Sequence, residues 1–238
     1  MRPRKDQHRN TRGFTLVEML VVIAILTIMS SLVMSNVRKG QDTQYLRQAA
    51  DQLVQDIRTM QNYAAGGKTM GICTGTTSED CLSSLTCTAP ATCVQTVPQG
   101  GYGVQLLSLS SYVLYPDTFI TTDLDPTDGD SRWYGAGDAG VVGTVSLTNG
   151  VLIIGYQYNG GACVQPDGSD SVFVTFEPPF AVGHVIQMTG GGTYQQDTTI
   201  QNLVIWLRGS NQLCRKITVN GIAGLVSEEQ AACPALCT

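Results

Sequence analysis

The chain has 238 residues, 14% of them charged, with 26 glycines, 8 cysteines and a formal net charge of −5 at pH 7. Removing residues 1–13 leaves 9 Lys+Arg against 18 Asp+Glu, so the remainder is distinctly acidic and repels polyanions at long range. Few charges, many glycines and abundant Ser/Thr argue against a helical cytosolic enzyme and for a loop-rich β domain outside the cytoplasm.

The first element is a polar leader carrying Arg2, Arg4, Lys5, Arg9 and Arg12 against a single Asp6, ending at Gly13. An apolar run follows from Phe14 to Met34. As a helix it is about 31 Å long, matching a hydrocarbon thickness of about 30 Å. Positive charge before the run and Arg38-Lys39 after it predict a cytoplasmic N-terminus, with everything beyond on the far side of the membrane. Glu18 interrupts the run one turn in. A carboxylate near the centre of a membrane helix costs on the order of 3 kcal/mol, and less toward the interface, unless it finds a partner. A secretory signal peptide needs a small-residue cleavage site after the apolar core, whereas Gly13 precedes it. A plain signal anchor explains length and orientation but neither the Gly13-Phe14 junction nor Glu18.

The stretch Arg12-Gly13-Phe14-Thr15-Leu16-Val17-Glu18-Met19-Leu20 resembles the processing and assembly signal of type IV prepilins and type II secretion pseudopilins. The resemblance implies cleavage after Gly13 by a prepilin peptidase/methyltransferase and N-methylation of Phe14. It also implies pairing of Glu18, fifth from Phe14, with the terminal amine of a neighbouring subunit. The implied partners are other pilin or pseudopilin subunits, the inner-membrane assembly platform, and membrane lipid before assembly. The implied location is a single-pass inner-membrane protein with a periplasmic or extracellular C-terminal domain, later part of a pilus or pseudopilus.

Beyond Gly40, apolar or small residues recur at Leu46, Ala49, Ala50, Leu53, Ile57, Met60 and Ala64, the stripe of an amphipathic helix ending at Ala64-Ala65-Gly66-Gly67. Gly40 is a plausible loose point between the two helix halves. The expected organisation is a leader (1–13), a transmembrane helix half (14–38), an amphipathic half (39–66) and an exported β-rich, cysteine-rich domain (67–238).

All eight cysteines (Cys73, Cys81, Cys87, Cys93, Cys163, Cys214, Cys233 and Cys237) lie beyond the apolar run, where disulfides persist. On the order of a hundred pairings are possible, and the sequence selects none. Without a Cys-x-x-Cys pair, and with His184 as the one histidine after the leader, zinc fits poorly.

Strand signals follow at 102–107, 111–115, 140–147, 151–158, 171–176, 184–188, 199–207 and 215–219. They are separated by Asn149-Gly150, Asn159-Gly160, Pro178-Pro179, Gly190-Gly191-Gly192 and Asn220-Gly221. The predicted class is α+β: a long N-terminal helix packed on an antiparallel sheet or sandwich with disulfide-braced loops, as in type IV pilins. The order of these phrases, from Gly-Tyr-Gly-Val at 101–104 through Tyr-Val-Leu-Tyr-Pro-Asp at 112–117 and Phe176-Glu177-Pro178-Pro179-Phe180 to Cys214–Gly221, is similar to minor subunits of the GspH/FimT type. The insert from Cys73 to Cys93 exceeds that pattern.

Chemistry is sparse. No Gly-x-Ser-x-Gly elbow, His-Glu-x-x-His pair or phosphate loop occurs, so no catalytic residue is assigned and the chain reads as a non-enzyme. His184, among Val182, Val185 and Ile186, fits a core or edge position better than a general base. Asp123, Asp125, Asp128 and Asp130, with Asp138 nearby, offer oxygen ligands for calcium. Thr127 stands at the fifth position and no Glu at the twelfth, which favours a solvated turn. No cofactor is therefore assigned, calcium being the alternative. Arg208, Arg215 and Lys216 are the only basic cluster, a modest anchor for nucleic acid. The expectation is a structural subunit. The alternatives are a DNA-binding minor pilin of an uptake machine and an anchored exported protein that never polymerises.

Overall fold

The computed structural model of the protein describes residues 15–74, 92–98, 100–117, 142–166, 171–189, 193–196, 202–221 and 223–235. Cα packing divides the chain into two compact units, Met1–Gln41 and Asp42–Thr238. Helix α1 runs from Leu16 to Ala65, uninterrupted at Gly40, where a Cβ would meet nothing within 4 Å.

Within the second unit, α1 buries Leu46, Ala50, Leu53, Val54, Ile57, Met60 and Ala64. These positions share one helical face. The helix stops in a Schellman arrangement. Gly67 adopts φ 58°, the Lys68 N–H donates to the Tyr63 carbonyl (2.9 Å) and the Gly67 N–H to that of Ala64 (3.1 Å). The Tyr102 hydroxyl closes the same end by donating to the Lys68 carbonyl (2.9 Å), and burial pushes that phenol up to about 12.

Twelve strands are described: β1 (Met70–Thr74), β2 (Thr92–Thr96), β3 (Gly101–Ser108), β4 (Ser111–Asp117), β5 (Gly143–Ser146), β6 (Leu152–Tyr158), β7 (Ser171–Glu177), β8 (Val182–Thr189), β9 (Thr193–Gln196), β10 (Asn202–Arg208), β11 (Cys214–Asn220) and β12 (Val226–Ala231). They form a hairpin β1-β2, a four-stranded sheet β12-β11-β10-β6 and a six-stranded sheet β5-β4-β3-β7-β8-β9. Every pairing between these described strands is antiparallel.

The helix stripe packs against the inner faces of both larger sheets. Tyr102, Val104, Leu106, Tyr112, Leu114, Val172, Val174 and Phe176 come from one, and Ile153, Tyr156, Leu203, Ile205, Leu207, Ile217 and Val219 from the other. One polar contact fixes the helix on the six-stranded sheet: the Tyr112 hydroxyl donates to Asp56 Oδ2 at 2.6 Å. Burial raises the Asp56 carboxyl above its ordinary value, the Tyr112 hydrogen bond opposing.

Turn chemistry behaves as the sequence indicates at Asn149-Gly150 and Asn159-Gly160, where all four residues have positive φ; the first turn links β5 of the six-stranded sheet to β6 of the four-stranded one, and the second doubles the chain back to the antiparallel bridge between Tyr156 and Val164. At 220–225 the left-handed residue is Gly224 (φ 61°) rather than Gly221. Four strands have no counterpart in the sequence-based expectation. β9 (Thr-Tyr-Gln-Gln) and β12 (Val-Ser-Glu-Glu-Gln-Ala) are sheet edges whose polar residues conceal the alternation, a usual protection of exposed edges. Arg58 of α1 reinforces one of them by donating through Nη2 to the Val226 carbonyl (2.9 Å). β1 and β2 lie in the cysteine-rich stretch, where no apolar period marks them.

Candidate processing and assembly site

Thr15 is the residue before α1, and its side chain caps the helix. Its Oγ1 accepts the Glu18 N–H at 3.2 Å, while its carbonyl accepts the Met19 N–H at 3.2 Å. A free first-turn N–H is thereby satisfied. Thr15-Leu16-Val17-Glu18 also has the Thr-x-x-Glu spacing of a capping box, a signal that the sequence carries beside the charge of Glu18. Glu18 is an acidic group in the first helical turn, where the partial positive charge of the helix terminus favours it.

From Leu16 to Val37 the large hydrophobics with described side chains are all exposed: Leu16, Val17, Met19, Leu20, Val21, Val22, Ile23, Ile25, Leu26, Ile28, Met29, Val33, Met34 and Val37. Apolar residues around the whole circumference are the pattern of a helix meant for an apolar surrounding rather than for water on one side. Two hydroxyls in this stretch bond back to the helix: Thr27 Oγ1 donates to the Ala24 carbonyl and Ser31 Oγ to that of Ile28, each at 2.8 Å. Such back-bonding satisfies these two donors without water. Among the described residues no helix is long and apolar enough to cross a membrane. Gly13 and Phe14 lie outside the described residues.

The other candidate residues do not gather into a second site. Along β11, Ile217 and Val219 face the core, so Arg215 projects to the same side and Lys216 to the opposite one. Arg208 alternates with the buried Leu207 and shares the face of Trp206 and Lys216. The basic cluster is therefore split between two faces. Its cations are also engaged: Arg215 pairs with Glu228, and Lys216 Nζ lies 2.8 Å from Glu229 Oε1. Burial and a hydrogen bond with Asp51 raise the Glu228 carboxyl, Arg215 opposing. Arg215 and Glu228 are thus part of the junction between α1 and β12.

His184 sits in β8 directly opposite Thr175 of β7, with Nε2 3.3 Å from Glu177 Oε2. Hydrogen bonding to Glu177 raises the imidazole above its ordinary value, partly offset by burial, and the Glu177 charge adds to the rise. This is a cross-strand pair within the six-stranded sheet, β8 lying between β7 and β9.

Cys214 and Cys233 form a disulfide (S–S 1.94 Å) over a small apolar cluster on the outer face of the four-stranded sheet, where Ile154 and Trp206 are buried. The Trp206 indole N–H donates to Gln157 Oε1 at 3.0 Å. Cys93 and Cys163 are also disulfide-bonded, and no described cysteine is free. Cys81, Cys87 and Cys237 lie outside the described residues, as do Asp123, Asp125, Asp128, Asp130 and Asp138. Among the described residues no group of three or more His, Cys, Asp or Glu side chains is placed to hold a metal ion.

The N-terminal segment thus joins a capped helix start, a first-turn carboxylate and an unpartnered apolar surface, and comparison with known families falls on the same residues. Residues 8–34 match the prokaryotic N-terminal methylation motif. No curated protein and no solved structure matches the chain. The prepilin-type motif supports the type IV pilin and pseudopilin family and indicates a prepilin-like substrate. It belongs to structural, non-enzymatic proteins. It implies processing by a peptidase, assembly with other pilin subunits, and a membrane-anchored N-terminus with the rest exported. The α+β architecture, with its N-terminal helix, antiparallel sheets and Cys214–Cys233 bond, is consistent with that family.

Proposed function

We propose that this chain is a structural subunit, of the minor GspH/FimT-like kind, of a type IV pilus or type II secretion pseudopilus. The peptidase cuts after Gly13, Phe14 becomes the N-methylated terminus, and residues 14–34 span the inner membrane until the subunit is drawn into a filament. The unit from Asp42 onward faces the periplasm or the exterior and offers its surface along the shaft or at the tip.

The observation that carries this reading is Glu18. It is the sole carboxylate of a predominantly apolar helix half whose described large hydrophobics are exposed, and it lies inside the matched motif. Held in hydrocarbon without a partner, it costs on the order of 3 kcal/mol near the membrane centre. A cationic amine on an adjacent subunit removes that cost and sets the axial register between helices, which lipid alone does not. Glu18→Gln keeps shape and hydrogen bonding but removes the charge. The expected result is normal cleavage and membrane insertion, with loss of filament incorporation measured in sheared filament fractions and by cross-linking between subunits. Incorporation equal to that of the unsubstituted chain would leave an anchored, non-polymerising exported protein as the better description.

A further inference from the structure

β1 and β2 form a sheet of their own, hydrogen-bonded to no other described strand. An isolated two-stranded hairpin is marginally stable in water. This one has little apolar cover: along β2 only Cys93 is even partly buried, and Met70 and Gly71 are buried at the start of β1. Its register nevertheless runs without a break over five residue pairs, from Met70 opposite Thr96 to Thr74 opposite Thr92. Along the described side chains of the hairpin burial is confined to its Met70–Thr96 end and, in part, Cys93, and a covalent link would hold such a pair in register.

Cys93 is disulfide-bonded, and Cys214 and Cys233 are bonded to each other, which removes both as its partner. Cys163 packs in the cluster around Ile154 and Trp206, to which Cys93 does not belong. The register places Cys73 directly opposite Cys93. Directly opposed residues of an antiparallel pair have Cα atoms about 4.5 or 5.5 Å apart according to pair type. Both distances fall in the range of about 4.4–6.8 Å that a disulfide spans. The two side chains of such a pair also leave the same face of the sheet.

We propose that Cys73 and Cys93 form a cross-strand disulfide next to the Thr74–Thr92 end of the β1-β2 hairpin. In the oxidation each thiol gives up one proton and one electron. The acceptor is the disulfide of an exported dithiol oxidant, reduced to two thiols as the new Sγ–Sγ bond forms. The bond makes the hairpin a stem that holds its register independently of the hydrophobic core.

The test uses the full chain, purified in detergent from an oxidising compartment and alkylated in denaturant without reduction. Cys73→Ser is expected to expose one alkylatable cysteine, Cys93, and the double variant C73S/C93S none. Alkylation of Cys81, Cys87, Cys163 or Cys237 in the single variant overturns the pairing. Disulfide mapping of the unsubstituted chain, cleaved at Glu79 and fragmented without reduction, gives the same answer if a variant fails to fold. A Cys73–Cys93 linked peptide supports the proposal, and Cys93 linked to any other cysteine overturns it.

Discussion

Leu53 tests whether the second half of α1 is a core element of the exported unit rather than a linker lying over it. The residue is fully buried, shares the helical face of Ala50, Ile57 and Met60, and belongs to the cluster shared with both larger sheets. Leu53→Ala removes three carbon atoms, about 2.4 kcal/mol of transfer free energy. The incompletely collapsed cavity raises the loss to about 3–4 kcal/mol, against a total stability of about 5–15 kcal/mol. For a unit of this size each kcal/mol lowers Tm by about 2–4 °C, so the melting transition should fall by about 10 °C. Leu20→Ala makes the same chemical change at a position 62% exposed and should leave that transition unmoved. Calorimetry of the detergent-solubilised full chain reads both. A fall of less than about 3 °C for Leu53→Ala, or equal falls for the two variants, would refute the packing argument.

Three further expectations follow from the geometry. Because Glu177 raises the His184 imidazole above its unfolded value, their pairing stabilises the fold below the unfolded pKa, and that contribution is lost as pH rises through the folded one. The chain should therefore melt higher at mildly acidic than at alkaline pH by an increment that Glu177→Gln abolishes; an unchanged increment in the variant would show that other groups carry it. Replacing Cys214 and Cys233 by Ala removes a link across 19 residues and should cost about 3 kcal/mol of unfolding free energy in denaturant titrations, an undiminished midpoint counting against a stabilising role. Thr15→Ala removes the helix cap, worth about 1 kcal/mol. Hydrogen exchange of the Glu18 amide in micelles should quicken several-fold and be restored in Thr15→Ser, with equal rates in all three arguing against the cap.

The parts of the molecule that the sequence makes plain are those where one residue pattern has one physical meaning. The 3.6-residue stripe from Leu46 to Ala64 can be buried only along a helix, and Gly67 offers the left-handed residue its stop requires. Asn149-Gly150 and Asn159-Gly160 read directly as tight turns of left-handed residues. The edge strands were hidden because an edge is protected by the very polarity that erases a strand signal, as Glu228, Glu229 and Gln230 do in β12. The same glutamates explain why Arg215 and Lys216 suggest a basic patch in one dimension and form none in three: alternation sends them to opposite faces, and each meets a carboxylate from the neighbouring strand. Partition of the polar network at the α1–β12 junction, with Asp51, Arg58, Arg215 and Glu228, depends on contacts far apart in the chain that no local pattern encodes. At the N-terminus the position is reversed. Glu18 stands out as the one carboxylate of an apolar run, while the Thr15–Glu18 spacing is a quieter capping signal whose hydrogen bond the folded helix displays.

The account stands or falls on the identity of the mature N-terminus. Intact mass and terminal sequencing of the chain from membranes of cells expressing the cognate peptidase measure it directly. The expected species begins at Phe14 and carries one methyl group on its amine. A membrane-resident chain still beginning at Met1 without that methyl group, under conditions where a known prepilin is fully processed, would contradict it.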